Sequence, residues 1–140
     1  MTDKKLDCIM LIDDNTDDNF FHERAIKKAH LDCVVTAKTS ALDAFEYIKH
    51  DQKPHPDLVF LDINMPGMNG WDFLEEYAKL DKVLQSRVVI VMLTTSENPD
   101  DQLRAKSCSL VNDFIAKPLT KEIMNGIVAK YFRDPVIEAA

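Results

Sequence analysis

The chain has 140 residues and a formal net charge of −7, with 46% hydrophobic and 29% charged residues, as is ordinary for a globular domain. This acidic balance argues against a nucleic-acid partner, which would require a basic surface. No apolar run approaches the roughly 20 residues of a membrane helix, and the polar N-terminus does not resemble a signal peptide. We therefore expect a cytoplasmic protein that does not associate with a membrane.

Strand and helix patterns alternate along the chain. Short apolar or β-branched runs predict five strands: Cys8–Ile12, Cys33–Ala37, Asp57–Asp62, Val88–Leu93 and Val111–Ala116. Capping residues predict where four helices begin: Asn15 or Thr16, Ser40, Asn98 and Thr120. Another helix, the third, follows the loop Asn64–Gly70 and fades near Lys82. Five strands alternating with five helices are typical of repeated βα units.

This alternation predicts an α/β fold with a doubly wound parallel sheet of flavodoxin-like order 2-1-3-4-5. A chain of 140 residues is expected to form a single domain. We place its core at about residues 8–132, between short polar tails. The three cysteines cannot all pair, and their spacings match no metal motif, so we expect buried or half-buried apolar side chains.

The third predicted strand organises the rest. Leu58–Leu61 is an unbroken apolar run, as expected for a strand buried on both faces, and it leads directly into Asp62. Pro66 and Gly67 cannot continue the strand. A carboxylate therefore lies where a central strand ends, which is where open α/β sheets bind ligands.

Other polar residues follow the neighbouring strands. Asp13 and Asp14 come after the first strand, Thr94 after the fourth and Lys117 after the fifth. Taken singly, these residues would be read as capping, turn or loop residues. In a parallel sheet, however, they meet Asp62 at one edge.

Three clustered carboxylates repel one another, and two unit charges 4 Å apart cost about 4 kcal/mol at an effective dielectric of 20. Such a cluster must take up protons, pair with Lys117 or bind a cation, and its oxygen ligands suit Mg²⁺. A phosphoryl group would find both cations and a hydroxyl there. An aspartate can itself be the nucleophile, and Asp62, alone on the central strand, is the natural acceptor.

With these residues in place, the chain resembles a two-component response-regulator receiver domain of the stand-alone, chemotaxis-regulator-like type. The resemblance covers about Cys8 to Phe132. It rests on the following residues: Asp13-Asp14, Asp62 with Asn64-Met65-Pro66-Gly67 and Gly70, Thr94, and Phe114 three residues before Lys117-Pro118.

The resemblance implies roles for the residues at the sheet edge. Asp62 would accept a phosphoryl group from a phosphohistidine on a sensor histidine kinase, or from a histidine phosphotransfer protein. Asp14 and Asp62 would ligate Mg²⁺ directly, for which Mn²⁺ can substitute. Asn64 would add its backbone carbonyl to the metal, and Asp13 would act through water.

Further roles concern signalling. Thr94 would turn its hydroxyl towards the phosphoryl group, Phe114 would rotate inward as Thr94 moves, and Lys117 would hold a phosphate oxygen. The Lys117-Pro118 bond would be cis. Thr95 departs from the alanine of many family members, and its larger side chain is expected to alter access to the phosphoryl group.

The resemblance also implies a phosphorylation-controlled switch that catalyses only its own phosphorylation and dephosphorylation. Its output would be protein binding through the predicted fourth helix, fifth strand and fifth helix, by a monomer or a phosphorylation-dependent dimer. A direct effector and a phosphorelay shuttle are both compatible with the sequence, which does not identify the kinase or the target.

Three other interpretations compete. An Mg²⁺-dependent phosphohydrolase typically needs a second acid two residues after the nucleophile, where Asn64 stands. A flavin-binding electron carrier would need a phosphate-binding first loop, and Asp13-Asp14 would repel phosphate. A degenerate receiver would lack an essential residue, yet every required position is filled.

For several other residues, we expect only solvated or packing roles. The histidines show no ligand spacing and are expected to be solvated or packed: His22, His30, His50 and His55. Trp71, at the head of the third helix, is expected to cover the edge of the core. From its strand position alone, Phe114 is equally compatible with the core and the surface.

Overall fold

The structure, a computed structural model, describes residues 4–29, 31–95 and 97–132. Its strands are β1 (Cys8–Ile12), β2 (Val34–Lys38), β3 (Leu58–Leu61), β4 (Val89–Thr94) and β5 (Asp113–Ala116). Its helices are α1 (Thr16–Lys28), α2 (Ala41–Lys49), α3 (Gly70–Tyr77), α4 (Lys82–Ser86), α5 (Pro99–Ser107) and α6 (Lys121–Tyr131). The predicted polar tails fall partly on residues 1–3 and 133–140, which lie outside the described residues, as does His30.

All five strands form one parallel sheet in the order β2-β1-β3-β4-β5, which confirms the predicted topology. The central strand β3 pairs with β1 on one side and β4 on the other, for example Leu61 with Ile12 and with Met92. Because every strand points the same way, the carboxyl ends of all five lie at the same edge of the sheet.

Two apolar layers enclose the sheet, since successive strand residues point to opposite faces. Met10 and Leu61 belong to the layer under α2, α3 and α5, whereas Leu11 and Phe60 belong to the layer under α1 and α6. Each residue of β3 is at most 2% exposed, so this strand is buried on both faces as its sequence predicts.

The described residues form six helices rather than the predicted five. The additional one, α4, is a single turn capped by the Asp81 side chain, which accepts a hydrogen bond from the Val83 amide. None of its residues is buried, so no apolar periodicity marked it in the sequence. For the preceding helix, the sequence predicts an inner face of Leu74, Tyr77 and Ala78; Leu74 and Tyr77 are buried, but Ala78 is exposed.

β1 has the predicted bounds, and the boundaries of the other strands shift by at most two residues. The most consequential shift is that β3 ends at Leu61, so that Asp62 begins the following loop. The capping predictions for Ser40, Asn98 and Thr120 are confirmed, and Asn15 rather than Thr16 caps α1.

Trp71 of α3 contacts two residues of α5 beside the sheet edge. It is 7% exposed, as expected for a residue that covers the core edge. Its indole Nε1 donates to Asp101 Oδ1 at 3.0 Å, and the Arg104 guanidinium lies 4.4 Å from the ring centroid. Ala105 is the one residue of α5 described as buried, so these polar and cation–π contacts make up much of the attachment of α5 to α3.

Within the part of the chain that the structure describes, no helix is long and apolar enough to cross a membrane. Cys8 is buried, and Cys33 and Cys108 are half-buried, as predicted for packing residues.

Candidate functional site

The acidic side chains predicted to converge lie together at the carboxyl edge of the sheet. Asp13 and Asp14 directly follow β1, and Asp62 directly follows β3. One carboxylate oxygen of each lies within 4.8 Å of the others. Asp13 and Asp62 are 4% and 6% exposed, whereas Asp14 faces solvent. The cluster therefore has a buried floor and one acid at its opening.

Lys117 follows β5 and supplies the positive charge at this edge. Its ammonium Nζ donates to Asp13 and, at 2.8 Å, to Asp18 of α1, and it lies 3.7 Å from Asp62 Oδ2. Burial alone would lower the pKa of Lys117, but the hydrogen bonds to Asp13 and Asp18 and the charge of Asp62 raise it above its usual value. The lysine is therefore a firmly charged counter-ion of the acidic cluster.

The negative charge of Asp62 is only partly compensated by its neighbours. Burial raises the pKa of its carboxyl, and the charge of Asp13 raises it further, against the lowering effect of Lys117. The Thr94 hydroxyl and the Ile63 amide, 2.9 Å from Oδ1, donate hydrogen bonds that lower the same pKa in part. Asp62 is thus a buried carboxylate whose ionised form a further cation would stabilise.

Thr94 ends β4 and is fully buried. Its hydroxyl contacts the Asp62 carboxylate, and its backbone carbonyl accepts a hydrogen bond from the Lys117 amide at 2.9 Å. It therefore links the ends of β3, β4 and β5. Thr95, the departure from the family pattern, is exposed.

The loop after Asp62 is shaped by two glycines. Gly67 has a φ of +73°, a left-handed conformation that other residues rarely adopt. A Cβ at Gly70 would lie 2.6 Å from the Asp62 carbonyl oxygen and 2.9 Å from the Ile63 Cα, so α3 can begin this close to β3 because the residue has no side chain. Both glycines belong to the motif that the sequence singled out.

A family profile described as "Response regulator receiver domain" matches residues 9–129. This chain belongs to that family. The match spans all five strands apart from Cys8 and includes the converging residues at the ends of β1, β3, β4 and β5, in agreement with the resemblance noted from the sequence.

Individual relatives agree with the assignment. A curated relative, response regulator Rcp1 of Synechocystis sp., is 26% identical, and the match covers 94% of this chain and 93% of Rcp1. A solved structure of a two-component response regulator from Cytophaga hutchinsonii is 28% identical with a TM-score of 0.80, covering 90% of this chain and 96% of that one.

Another solved structure is the Mn²⁺-bound form of response regulator Rcp1, 26% identical with a TM-score of 0.69, covering 88% of this chain and 92% of that one. Several other curated relatives are much longer: the receiver domain spans only 7%, 29% and 10% of the length of three of them.

Receiver domains bind Mg²⁺ or Mn²⁺ at an acidic pocket, and the acidic cluster of this one fits such an ion. In octahedral coordination with bonds of about 2.1 Å, ligand oxygens lie about 3 to 4.2 Å apart. The carboxylate oxygens of the cluster lie within 4.8 Å of one another, so at most a small contraction brings them into that range. Asp13, Asp14 and Asp62 would hold the ion, and solvent would reach it beside exposed Asp14.

Two predicted roles concern residues at the margin of the site. Asn64 is exposed, two residues after Asp62, and its carbonyl as a metal ligand remains a prediction. Phe114 lies on β5, partly buried against the layer under α2, α3 and α5, and its rotation also remains a prediction. The Lys117-Pro118 bond is cis, as the resemblance implied.

Sequence reasoning missed two residues of α1 that contact the site. The Asp18 carboxylate accepts from Lys117, and buried Asn19 donates from Nδ2 to the Asp13 carbonyl at 2.9 Å. In the sequence, Asp18 was an acid suited to the first turn of a helix. The available signal was its place in the first turn of the helix that follows Asp13 and Asp14, a place that Asp17 shares.

We expect Mg²⁺ to raise the midpoint of thermal unfolding by about 5–10 °C at a concentration far above its dissociation constant. The physical reason is that the ion binds the folded cluster and relieves its repulsion. Asp14→Ala should abolish most of this shift, whereas Asp43→Ala, which removes an exposed acid from the first turn of α2, should retain it. Differential scanning fluorimetry with Mg²⁺ or chelator measures both; an unchanged midpoint in the wild type would contradict a metal site.

Proposed function

We propose that this receiver domain accepts a phosphoryl group on Asp62 from a phosphohistidine, carried by a histidine kinase or a phosphotransfer protein, in a Mg²⁺-dependent reaction. The observation that carries the proposal is the placement of buried Asp62 beside the carboxylates of Asp13 and Asp14 and near the Lys117 ammonium. Receiver domains are phosphorylated by histidine kinases, which supports this class of donor. We place the reaction in the cytoplasm, where the ATP used by such kinases is found.

In the proposed step, a carboxylate oxygen of Asp62 forms a bond to phosphorus as the donor's N–P bond breaks. The departing imidazole nitrogen recovers a proton from solvent, and Asp62 becomes an acyl phosphate. Bound Mg²⁺ would offset the negative charge of the phosphoryl oxygens and of the acidic cluster. Lys117 would bind one phosphoryl oxygen. The Thr94 hydroxyl would leave the Asp62 carboxylate and donate a hydrogen bond to a second phosphoryl oxygen.

The output would be protein binding through α5, β5 and α6. Movement of Thr94 towards the phosphoryl group would leave room for Phe114 to turn inward from β5. Leu103 on α5 is 62% exposed, which offers a partner an apolar contact on this face. A target protein bound directly and a histidine phosphotransfer protein are both compatible with the face; only a shuttle would transfer its phosphoryl group to a histidine.

A phosphohydrolase or flavin carrier has less support. An aspartyl-phosphate hydrolase would need a second acid two residues after Asp62, and Asn64 stands at that position. The loop after β1 presents Asp13 and Asp14, which would repel a flavin phosphate. The family consists of signalling proteins, and the methylesterases among its relatives owe that activity to a separate domain.

Incubation with a small acyl phosphate, followed by intact-mass measurement, tests the proposal. We expect a Mg²⁺-dependent gain of one phosphoryl group in the wild type, and none after chelation. Asp62→Asn should show no gain, while Asp57→Asn, an acid at the opposite end of β3, should react like the wild type if it folds. A gain that persists in Asp62→Asn would assign the phosphoryl group to another residue and overturn the proposal.

A further inference from the structure

Lys117 is shared unequally among three carboxylates. Its Nζ hydrogen-bonds to Asp13 and to Asp18, the latter at 2.8 Å, but lies 3.7 Å from Asp62 Oδ2, beyond hydrogen-bond distance. The acid that the proposed reaction uses is therefore the one to which the lysine donates no hydrogen bond, although the two form a longer ion pair. Asp18 is the member of this set that comes from α1 rather than from a strand end.

The two acids that hold Lys117 differ in how easily they can release it. The Asp13 side chain is 6% exposed, and its other oxygen already accepts from the Asn15 amide at 2.9 Å. The Asp18 side chain is 34% exposed and stands in the first turn of α1, where the helix dipole also stabilises a negative charge. Losing Lys117 would leave Asp13 buried and unpaired, whereas water could replace the lysine at Asp18.

We infer that Asp18 is a positioning residue that holds Lys117 away from Asp62 before phosphorylation. When a phosphoryl group arrives at Asp62, Lys117 exchanges Asp18 for a phosphoryl oxygen and keeps its bond to Asp13. Asp18 thus competes with the phosphoryl group for the lysine. This inference rests on the proposed function for its second half, the exchange, but the restraint of Lys117 can be measured without any phosphoryl donor.

Asp17 provides a matched control. It lies in the same first turn of α1, next to Asp18, and the amides of both residues donate to the Asn15 side chain. Asp17 is exposed to solvent, whereas the Asp18 carboxylate forms an ion pair with Lys117. Asp17→Asn and Asp18→Asn remove the same charge from the same turn, so their difference isolates the contact with Lys117.

The first measurement is Mg²⁺ affinity by isothermal titration calorimetry without a phosphoryl donor. In Asp18→Asn, Lys117 should shift towards Asp62 and compete with the ion, which we expect to weaken Mg²⁺ binding by about 3- to 10-fold relative to Asp17→Asn. Asp18→Glu, whose carboxylate can still reach the lysine, should restore the affinity towards that of the wild type.

The second measurement is the rate of phosphorylation by a small acyl phosphate at saturating Mg²⁺. Asp18→Asn should react about 3- to 10-fold faster than Asp17→Asn, because Lys117 no longer has to leave Asp18. Equal values for the two variants in either measurement, or a slower reaction of Asp18→Asn, would overturn the inference. If the wild type takes up no phosphoryl group, the proposed function fails, and the calorimetry alone decides whether Asp18 restrains Lys117.

Discussion

Replacing Lys117 with methionine is expected to lower the free energy of unfolding of the metal-free protein by about 3–5 kcal/mol. Methionine keeps most of the length of the side chain but removes its charge, which leaves Asp13 and Asp62 buried without their cation. Breaking a buried ion pair by removing one partner is costly because the remaining charge is not hydrated. Denaturant unfolding in the presence of a chelator measures the loss.

Two comparisons make this prediction specific. Lys121→Met, at an exposed position in the first turn of α6, should change stability by no more than about 0.5 kcal/mol. Excess Mg²⁺ should recover part of the loss in Lys117→Met, since the ion would replace the missing positive charge. A Lys117→Met protein as stable as the wild type would show that the acidic cluster does not depend on the lysine.

The pH dependence of this contribution has a definite sign. Hydrogen bonds to Asp13 and Asp18 raise the pKa of Lys117 above its ordinary value of 10.5 in spite of the opposing effect of burial. A raised pKa in the folded state means that the stabilisation is complete below the unfolded value. It is therefore fully present at neutral pH and is lost only as the pH rises through the folded-state pKa.

Asp62→Asn should have the opposite effect and stabilise the metal-free protein at pH 7, on the order of 1 kcal/mol. Burial and the charge of Asp13 raise the pKa of Asp62 above its ordinary value of 3.8, so the folded state favours the neutral form. In the wild type, the stabilisation by the protonated Asp62 carboxyl is present below the unfolded-state pKa and is lost as the pH rises through the folded-state pKa. A neutral amide of the same shape avoids the loss.

The test is to compare the two proteins in chelator from pH 4 to pH 8. The difference in stability should be largest at the neutral end and should shrink towards acid, where the wild-type carboxyl becomes protonated. Saturating Mg²⁺ should reverse the order, because the wild type keeps all three carboxylates for the ion. If Asp62→Asn is less stable than the wild type in chelator at pH 7, the Asp62 charge is better compensated than its burial indicates.

The sequence alone predicted that the polar residues at the strand ends lie close together, because of a property of parallel sheets. Once five alternating βα units are recognised, the carboxyl ends of all strands must share an edge, whatever the details of packing. Asp13, Asp62, Thr94 and Lys117 each directly follow or end a strand, so their approximate meeting required only the strand order. The short helix α4 escaped prediction because it buries no residue and has no periodic pattern.

By itself, then, the sequence determined the strand order, the shared edge and the set of acids, hydroxyl and lysine that meet there. Only the tertiary structure decided how Lys117 divides its charge. Asp17 and Asp18 are adjacent acids in one helical turn, and about 100° of rotation around the α1 axis separates them. Which of them faces the lysine depends on how α1 packs against the sheet through Ala25 and Ile26, and that packing has no local signature at Asp18.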